Sequence, residues 1–249
     1  MVYIKIQPLE KIPLVKRGDD LSKLILKSAK KQNIEINDND ILVIAQSIVS
    51  KSENNIINLN QVKPSEKALE ISKKINKDSK IVEVILQQTE EIIRLEHVLI
   101  SKTRHGFICA NAGVDSSNIE SNFVTVLPEN PDASARAIRR GIQKKTDSNI
   151  AVIISDSWGR PFRLGAVGFA IGVAGIKSTI DLQGREDAYG NKLETTMISP
   201  PDSIAAAASL VMGESDERVP AVLVKNAPYE PGEGSIQELL RKEDEDLFR

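Results

Sequence analysis

Three short, almost wholly apolar runs constrain the fold of this chain more than any other feature. "DILVIAQS" (40–47), "NIAVIISD" (149–156) and "PAVLVKN" (220–226) each read as a buried strand. Helical patterns separate them. Asp19 and Asp20 offer N-caps for a helix that carries Leu21, Leu24 and Ile25 on one side. "PSEKALEISKKI" (64–75) sets Pro, Ser and Glu in the order that starts a helix. "SKIVEVILQQTEEII" (79–93) continues helically, with Val82, Ile85, Leu86 and Ile93 on one face. Further helices are expected over 131–146, over the alanine-rich stretch 202–215, which gives way to a Gly-Glu-Ser-Asp turn, and over 234–248 as a closing amphipathic helix. Residues 2–6 suggest a strand, with Pro8 and Pro13 bounding an irregular segment. A polar loop with Lys51 near it follows the first buried run, and 97–113 reads as a hairpin around Arg104-His105-Gly106. The hairpins and a long irregular stretch (177–200) break the strand–helix rhythm. The expected class is therefore mixed α/β (α+β) rather than a regular doubly wound sheet.

The second apolar run ends abruptly. At Ser155-Asp156-Ser157 it turns polar, and "WGRPFRLGAVGFAIG" follows, rich in glycine and arginine. Asp115, in "CANAGVDSSN", has the same setting: an acid beside hydroxyls and small residues, after a strand-like run. Two carboxylates held this way suit a hard divalent cation, Mg²⁺ or Mn²⁺, which takes oxygen ligands, keeps waters and bridges to phosphate oxygens. The competing reading is that each Asp caps a turn or a helix start. Glu214, in "MGESDE", could reach a second ion or belong to a solvated turn after a helix stop at Gly213. Ser47 and Lys51 form a plausible phosphate hand. Arg160, Arg163 and Arg185 are candidate anion clamps, and structural pairing with nearby acids accounts for them equally well.

Exclusions narrow the chemistry. With one cysteine, Cys109, and two histidines, His97 and His105, a thiolate or imidazole metal cage is not expected, and any metal would be held by oxygen. Cys109 itself reads as an inert core residue. There is no GxxxxGK[ST] phosphate loop, no GxGxxG and no Gly-x-Ser-x-Gly elbow. The glycines at 165, 168, 172 and 175 are spaced for close backbone packing rather than for phosphates. A net charge of −2 gives no reason to expect nucleic acid or a membrane surface as partner. The N-terminal segment alternates like a strand and lacks a signal peptide's apolar core, so a cytoplasmic protein is expected.

Taken in order, "KIPLVKRGDDL", "SIVSK", "KPSEKA", "ICANAGVDSSN", "ISDSWGRPFRLGAVGFAIGVAG", "GREDAYGNKLE", "LVMGE", "PAVLVKN" and "GEGS" resemble the archaeal coenzyme F420-0:L-glutamate ligases, the F420 gamma-glutamyl ligases, over nearly the whole 249 residues. The resemblance implies GTP-dependent addition of L-glutamate to the terminal carboxylate of coenzyme F420-0, then of a gamma-linked glutamate, through an acyl phosphate. It implies Asp115 and Asp156 as ligands of a first Mg²⁺ or Mn²⁺, and Ser157 with Glu214 at a second. A monovalent cation such as K⁺ is also implied. Ile12, Pro13, Leu14, Val15, Gln46, Ser47, Lys51, Asn118 and the turn Met212, Gly213, Glu214, Ser215, Asp216 would hold the nucleotide, and Arg160 would join the acids in catalysis. The implied architecture is an intertwined homodimer of two-lobed subunits with mixed sheets, neither Rossmann nor P-loop. The chain departs from the family pattern at Gln46, Trp158 and Lys192. A related ligase with a different carboxylate acceptor, and a non-catalytic guanine-nucleotide-binding protein, are the alternatives.

Overall fold

The computed structural model describes residues 3–246. In chain order the strands and helices are β1 (Lys5–Pro8), α1 (Leu21–Lys31), β2 (Ile41–Ala45), α2 (Gln46–Ser52), β3 (Ile56–Asn58), α3 (Glu66–Ile75), α4 (Ser79–Gln88), β4 (Thr89–Leu95), β5 (Leu99–Thr103), β6 (Ile108–Ala110), β7 (Phe123–Thr125), α5 (Pro131–Thr146), β8 (Ala151–Arg160), β9 (Arg163–Ala174), β10 (Ile180–Asp181), β11 (Met197–Ile198), α6 (Pro200–Met212) and β12 (Ala221–Lys225). The class is mixed α/β.

The three apolar runs are the centre of the main sheet. Its order is β1-β12-β2-β8-β9, with β2 and β8 parallel and every other neighbour antiparallel. Ile41–Ile44, Ala151–Ile154 and Ala221–Val224 are all buried, which is why their sequence is continuously apolar rather than alternating. Each fully buried Val, Leu or Ile side chain favours the fold by roughly 1.5–3 kcal/mol. Helices α5 and α6 pack on β8 and β9, and α1 packs on α5. The glycines of β9 allow this: a Cβ at Gly168 would meet the Ala205 carbonyl oxygen of α6 at 2.5 Å, and one at Gly172 would meet the Pro131 carbonyl oxygen of α5 at 2.6 Å. A second cluster, with Ala68, Ile71, Ile75, Val82, Ile85, Leu99 and Ala112, lies between α3, α4 and the β4-β5-β6 sheet.

Helix starts follow their caps. Asp20, Ser65 and Asn130 accept the backbone N–H groups of Lys23, Ala68 and Ala133 at the heads of α1, α3 and α5. Several expectations are corrected. The polar loop after β2 is the short helix α2, whose Ile48 and Val49 turn into the core. The helix expected over 79–93 stops at Gln88. Thr89 turns extended, and Thr89–Leu95, with β-branched Thr89, Ile92 and Ile93, pairs with β5 as a strand. The strand expected over 2–6 runs from Lys5 to Pro8, and the part of that expectation on Val2 lies outside the described residues. The closing helix is replaced by two 3₁₀ turns, Ile236–Leu239 and Glu243–Glu245; Leu247 and Phe248 lie outside the described residues. The Asp132 carboxylate accepts the Ser235 hydroxyl at 2.8 Å and the Ile236 N–H at 3.1 Å and pins the start of this segment across the head of α5. Among the described residues no helix is long and apolar enough to cross a membrane.

Candidate active site

The polar break after Ile154 is not the end of its strand. β8 continues to Arg160 and turns back into β9, with Asp156 opposite Phe169 and Trp158 opposite Val167. Continuation of the pleat gives Asp156 and Trp158 a common face and sends Ser157 to the other. The Asp156 carboxylate accepts the Trp158 indole N–H through Oδ2 at 2.8 Å and the Ser157 N–H through Oδ1 at 3.0 Å. The Ser157 hydroxyl donates to Glu214 Oε2 at 2.8 Å.

Asp115 arrives by a different route. After β6 the chain passes through Asn111, Ala112 and Gly113, three consecutive residues with φ of 55°, 52° and 69°. The left-handed conformation at buried Ala112 costs on the order of 1–2 kcal/mol and is held by its packing among α3, α4 and β5. Asp115 then pairs with Thr125 through both backbone groups, at 3.1 and 2.8 Å, and its carboxylate accepts the Ser117 hydroxyl and, at 2.8 Å, the Ser117 N–H. Glu214 follows α6, which ends at Met212 with Gly213 at φ 72°, a value that suits glycine.

Asp115 and Glu214 lie near enough to Asp156 for their charges to act on it. Burial pushes the Asp156 carboxyl up to about 6, its two hydrogen bonds oppose the rise, and the charges of Asp115 and Glu214 add to it. None of the groups acting most strongly on it is a cation. Lys51 is half-buried at the end of α2; burial lowers its pKa while Asp115 favours its charged form. Its ammonium donates to the Asn118 carbonyl at 2.7 Å, and the Asn118 amide reaches the Ser215 carbonyl at 3.4 Å. Lys51, Asp115, Asn118, Asp156, Ser157, Glu214 and Ser215 thus form one connected group drawn from four separate parts of the chain.

The remaining candidates lie around this group or away from it. Ile12 and Val15 pack on the core, Leu14 is 80% exposed, and the Gly18 N–H bonds the Ser52 carbonyl, so this loop runs alongside the end of α2. Ser47 sits in the first turn of α2. Gln46 is buried and its amide donates inward, to Ser50 Oγ at 2.7 Å and the Val126 carbonyl at 3.3 Å. Arg160 lies at the far end of β8. It stands four residues beyond Asp156, roughly 13 Å along an extended strand, and donates to the Gly165 carbonyl across the hairpin at 2.6 Å. Arg185 forms an exposed ion pair with Glu230 at 3.8 Å. Cys109 is buried, and burial followed by the Asp156 charge pushes its thiol up to about 12, an unreactive state. Trp158 is the contact that sequence reasoning missed.

The donor set is one of hard oxygens, matched in kind to Mg²⁺ or Mn²⁺. Their spacing is open: among the described residues no three His, Cys, Asp or Glu side chains stand close enough to share a single ion.

The family described as F420-0:Gamma-glutamyl ligase matches residues 10–226. A coenzyme F420:L-glutamate ligase of Methanothermobacter thermautotrophicus is 49% identical, covering 97% of each chain. Proteins of the same name from Methanocaldococcus jannaschii and Archaeoglobus fulgidus are 44% and 41% identical, covering 96% and 99% of this chain and 94% and 96% of their own.

Proposed function

Because the chain belongs to the F420-0:gamma-glutamyl ligase family, we propose that it joins L-glutamate to the terminal carboxylate of coenzyme F420-0, then adds a further gamma-linked glutamate, at the expense of GTP. The observation that supports this reading is the Ser157–Glu214 hydrogen bond beside Asp156 and the Lys51–Asn118–Ser215 chain, with Asp115 near enough for its charge to act on Asp156. A carboxylate is a poor electrophile. An acceptor oxygen first takes the γ-phosphoryl group of GTP, giving an acyl phosphate and GDP. The glutamate amine then attacks the acyl carbon, loses a proton and expels phosphate, so the amide forms with no covalent enzyme intermediate.

The chain's own residues bind and orient. Lys51 offers its ammonium to phosphate oxygens, and the loop Ile12–Val15, the head of α2 at Gln46 and Ser47, Asn118 and the turn Met212–Asp216 enclose the nucleotide. With its amide turned inward, Gln46 contributes its backbone. Asp115 with Asp156, and Ser157 with Glu214, would hold two divalent cations, which when bound neutralise phosphate charge and polarise the phosphoryl group. K⁺ would assist as a third, monovalent cation. Arg160, on the β8–β9 hairpin, would take part in catalysis with the acids by guiding the substrate's carboxylate. The subunit acts as a cytoplasmic, two-lobed half of an intertwined homodimer, a reading supported by Leu164 of the β8–β9 hairpin and Leu210 of α6, exposed at 99% and 85%. GDP release that requires F420-0 and glutamate together supports the ligase. GDP release independent of both contradicts it, and release with glutamate and another carboxylic acid assigns the site to a different acceptor.

A further inference from the structure

Trp158 is the single tryptophan of the chain, and its one polar atom is committed to Asp156. The indole N–H holds Oδ2 at 2.8 Å while the Ser157 N–H holds Oδ1, so both carboxylate oxygens are tethered. The indole is itself wedged. Its ring centroid lies 5.2 Å from that of Phe107 at an interplanar angle of 60°, and 5.7 Å from that of Phe169 at 27°. Phe107 in turn stacks on His105 at 5.6 Å, and the His105 Nε2 is fixed to the Pro128 carbonyl at 2.9 Å. Rings from the β5–β6 turn, β8 and β9 thus form one row ending on the carboxylate. Offset and inclined pairs at these separations are favourable packing geometries.

We propose that Trp158 is a positioning residue, whose indole N–H sets the orientation in which Asp156 presents its free lone pairs to a divalent cation. The proposal rests on the reading of Asp115 and Asp156 as cation ligands. Without the indole donor, the carboxylate is tethered through Oδ1 alone and turns more freely about its Cβ–Cγ bond. Groups that hydrogen-bond a ligating carboxylate are typically worth roughly 10–100-fold in metal affinity or activity.

Two variants separate the donor from the ring. Trp158→Phe keeps an aromatic surface between Phe107 and Phe169 and lacks the N–H. Trp158→His keeps a donor and lacks the benzo ring, because imidazole Nε2 stands in the same place relative to Cγ as indole Nε1. Calorimetric titration of the full chain with Mg²⁺, without substrates, reads affinity directly; Mg²⁺ favours oxygen over imidazole. Thermal midpoints follow folding. The Phe variant is expected to bind Mg²⁺ at least about tenfold more weakly with its midpoint nearly unchanged. The His variant is expected to bind with close to the parent affinity at a lower midpoint. A Phe variant that binds as tightly as the parent, or affinities that simply follow the midpoints, overturns the proposal. Quenching of Trp158 fluorescence by paramagnetic Mn²⁺ in the parent protein tests the site separately. Calorimetric Mn²⁺ binding without quenching, or no divalent binding at all, fails the site reading and the proposal with it. Quenching in the parent with an unaffected Phe variant fails the positioning proposal alone.

Discussion

Replacing Gly168 by alanine tests how the sheet and α6 hold the site together. The new Cβ would lie 2.5 Å from the Ala205 carbonyl oxygen and 2.9 Å from its carbon, both backbone atoms that no rotamer change can move. Ordinary contact begins at 3.4 Å, so α6 must retreat by about 0.9 Å. Overpacking of this kind costs about 1–3 kcal/mol. At roughly 2–4 °C per kcal/mol for a chain of this size, the thermal midpoint should fall by about 2–12 °C. The same retreat carries the end of α6 away from β8 and stretches the 2.8 Å bond from Ser157 to Glu214, so turnover should drop along with stability. Gly159→Ala is the control, because a Cβ there meets nothing within 4 Å. Urea unfolding and GDP release on both variants provide the assay. A Gly168→Ala protein within about 0.5 kcal/mol of the parent and fully active would refute the close-packing argument.

Asp156→Asn should abolish turnover and yet stabilise the cation-free protein. The folded carboxyl titrates near 6, above its ordinary 3.8, so the folded state holds the proton more tightly and this group's contribution to stability is lost as pH rises from about 4 to 6. In EDTA at pH 7 the variant should gain about 1–3 kcal/mol in urea unfolding, the gain vanishing toward pH 4; a loss at pH 7 would contradict the charge argument. Cys109 should resist a thiol reagent at pH 8 in the native protein and react once per chain in denaturant, and rapid native labelling would show that its burial is not maintained. Lys225→Met should cost about 3–5 kcal/mol, because Asp40, buried and 2.6 Å from the Lys225 ammonium, is left without its cation. A cost below about 1 kcal/mol would mean that the Asn37 N–H, 2.8 Å from the same carboxylate, suffices.

Much of the fold was legible where one local signal dominated. Continuous apolar runs marked β2, β8 and β12, because strands covered on both faces need no polar alternation. Asp20 and Ser65 marked helix starts by their capping chemistry. Legibility failed where a distant partner decided the outcome. Thr89–Leu95 keeps enough helical spacing to extend α4, and only pairing with β5 makes it a strand. Gln46–Ser52 is too short and polar to declare itself a helix before Ile48 and Val49 meet the core. The Asp132 clamp on Ser235 and Ile236 crosses more than a hundred residues and leaves no local trace.

The site divides the same way. Asp115, Asp156 and Glu214 stood out as acids at the ends of apolar segments, and their mutual approach came from topology, with β8 bringing one, the left-handed turn after β6 another and α6 the third. Trp158 was recoverable in principle, since residues two apart in a strand share a face. The inference required β8 to continue past Asp156, which the polar break in the sequence concealed. The same break hid the place of Arg160, which lies on the hairpin arm and donates to the Gly165 carbonyl.

The central claim meets its most direct test in the mass of the acceptor. The purified protein is incubated with coenzyme F420-0, GTP, Mn²⁺ and L-glutamate, and the deazaflavin is followed by mass spectrometry. Stepwise gain of glutamyl units, with one GDP released per unit added, is the predicted result. An acceptor of unchanged mass in the presence of tightly bound GTP would contradict it.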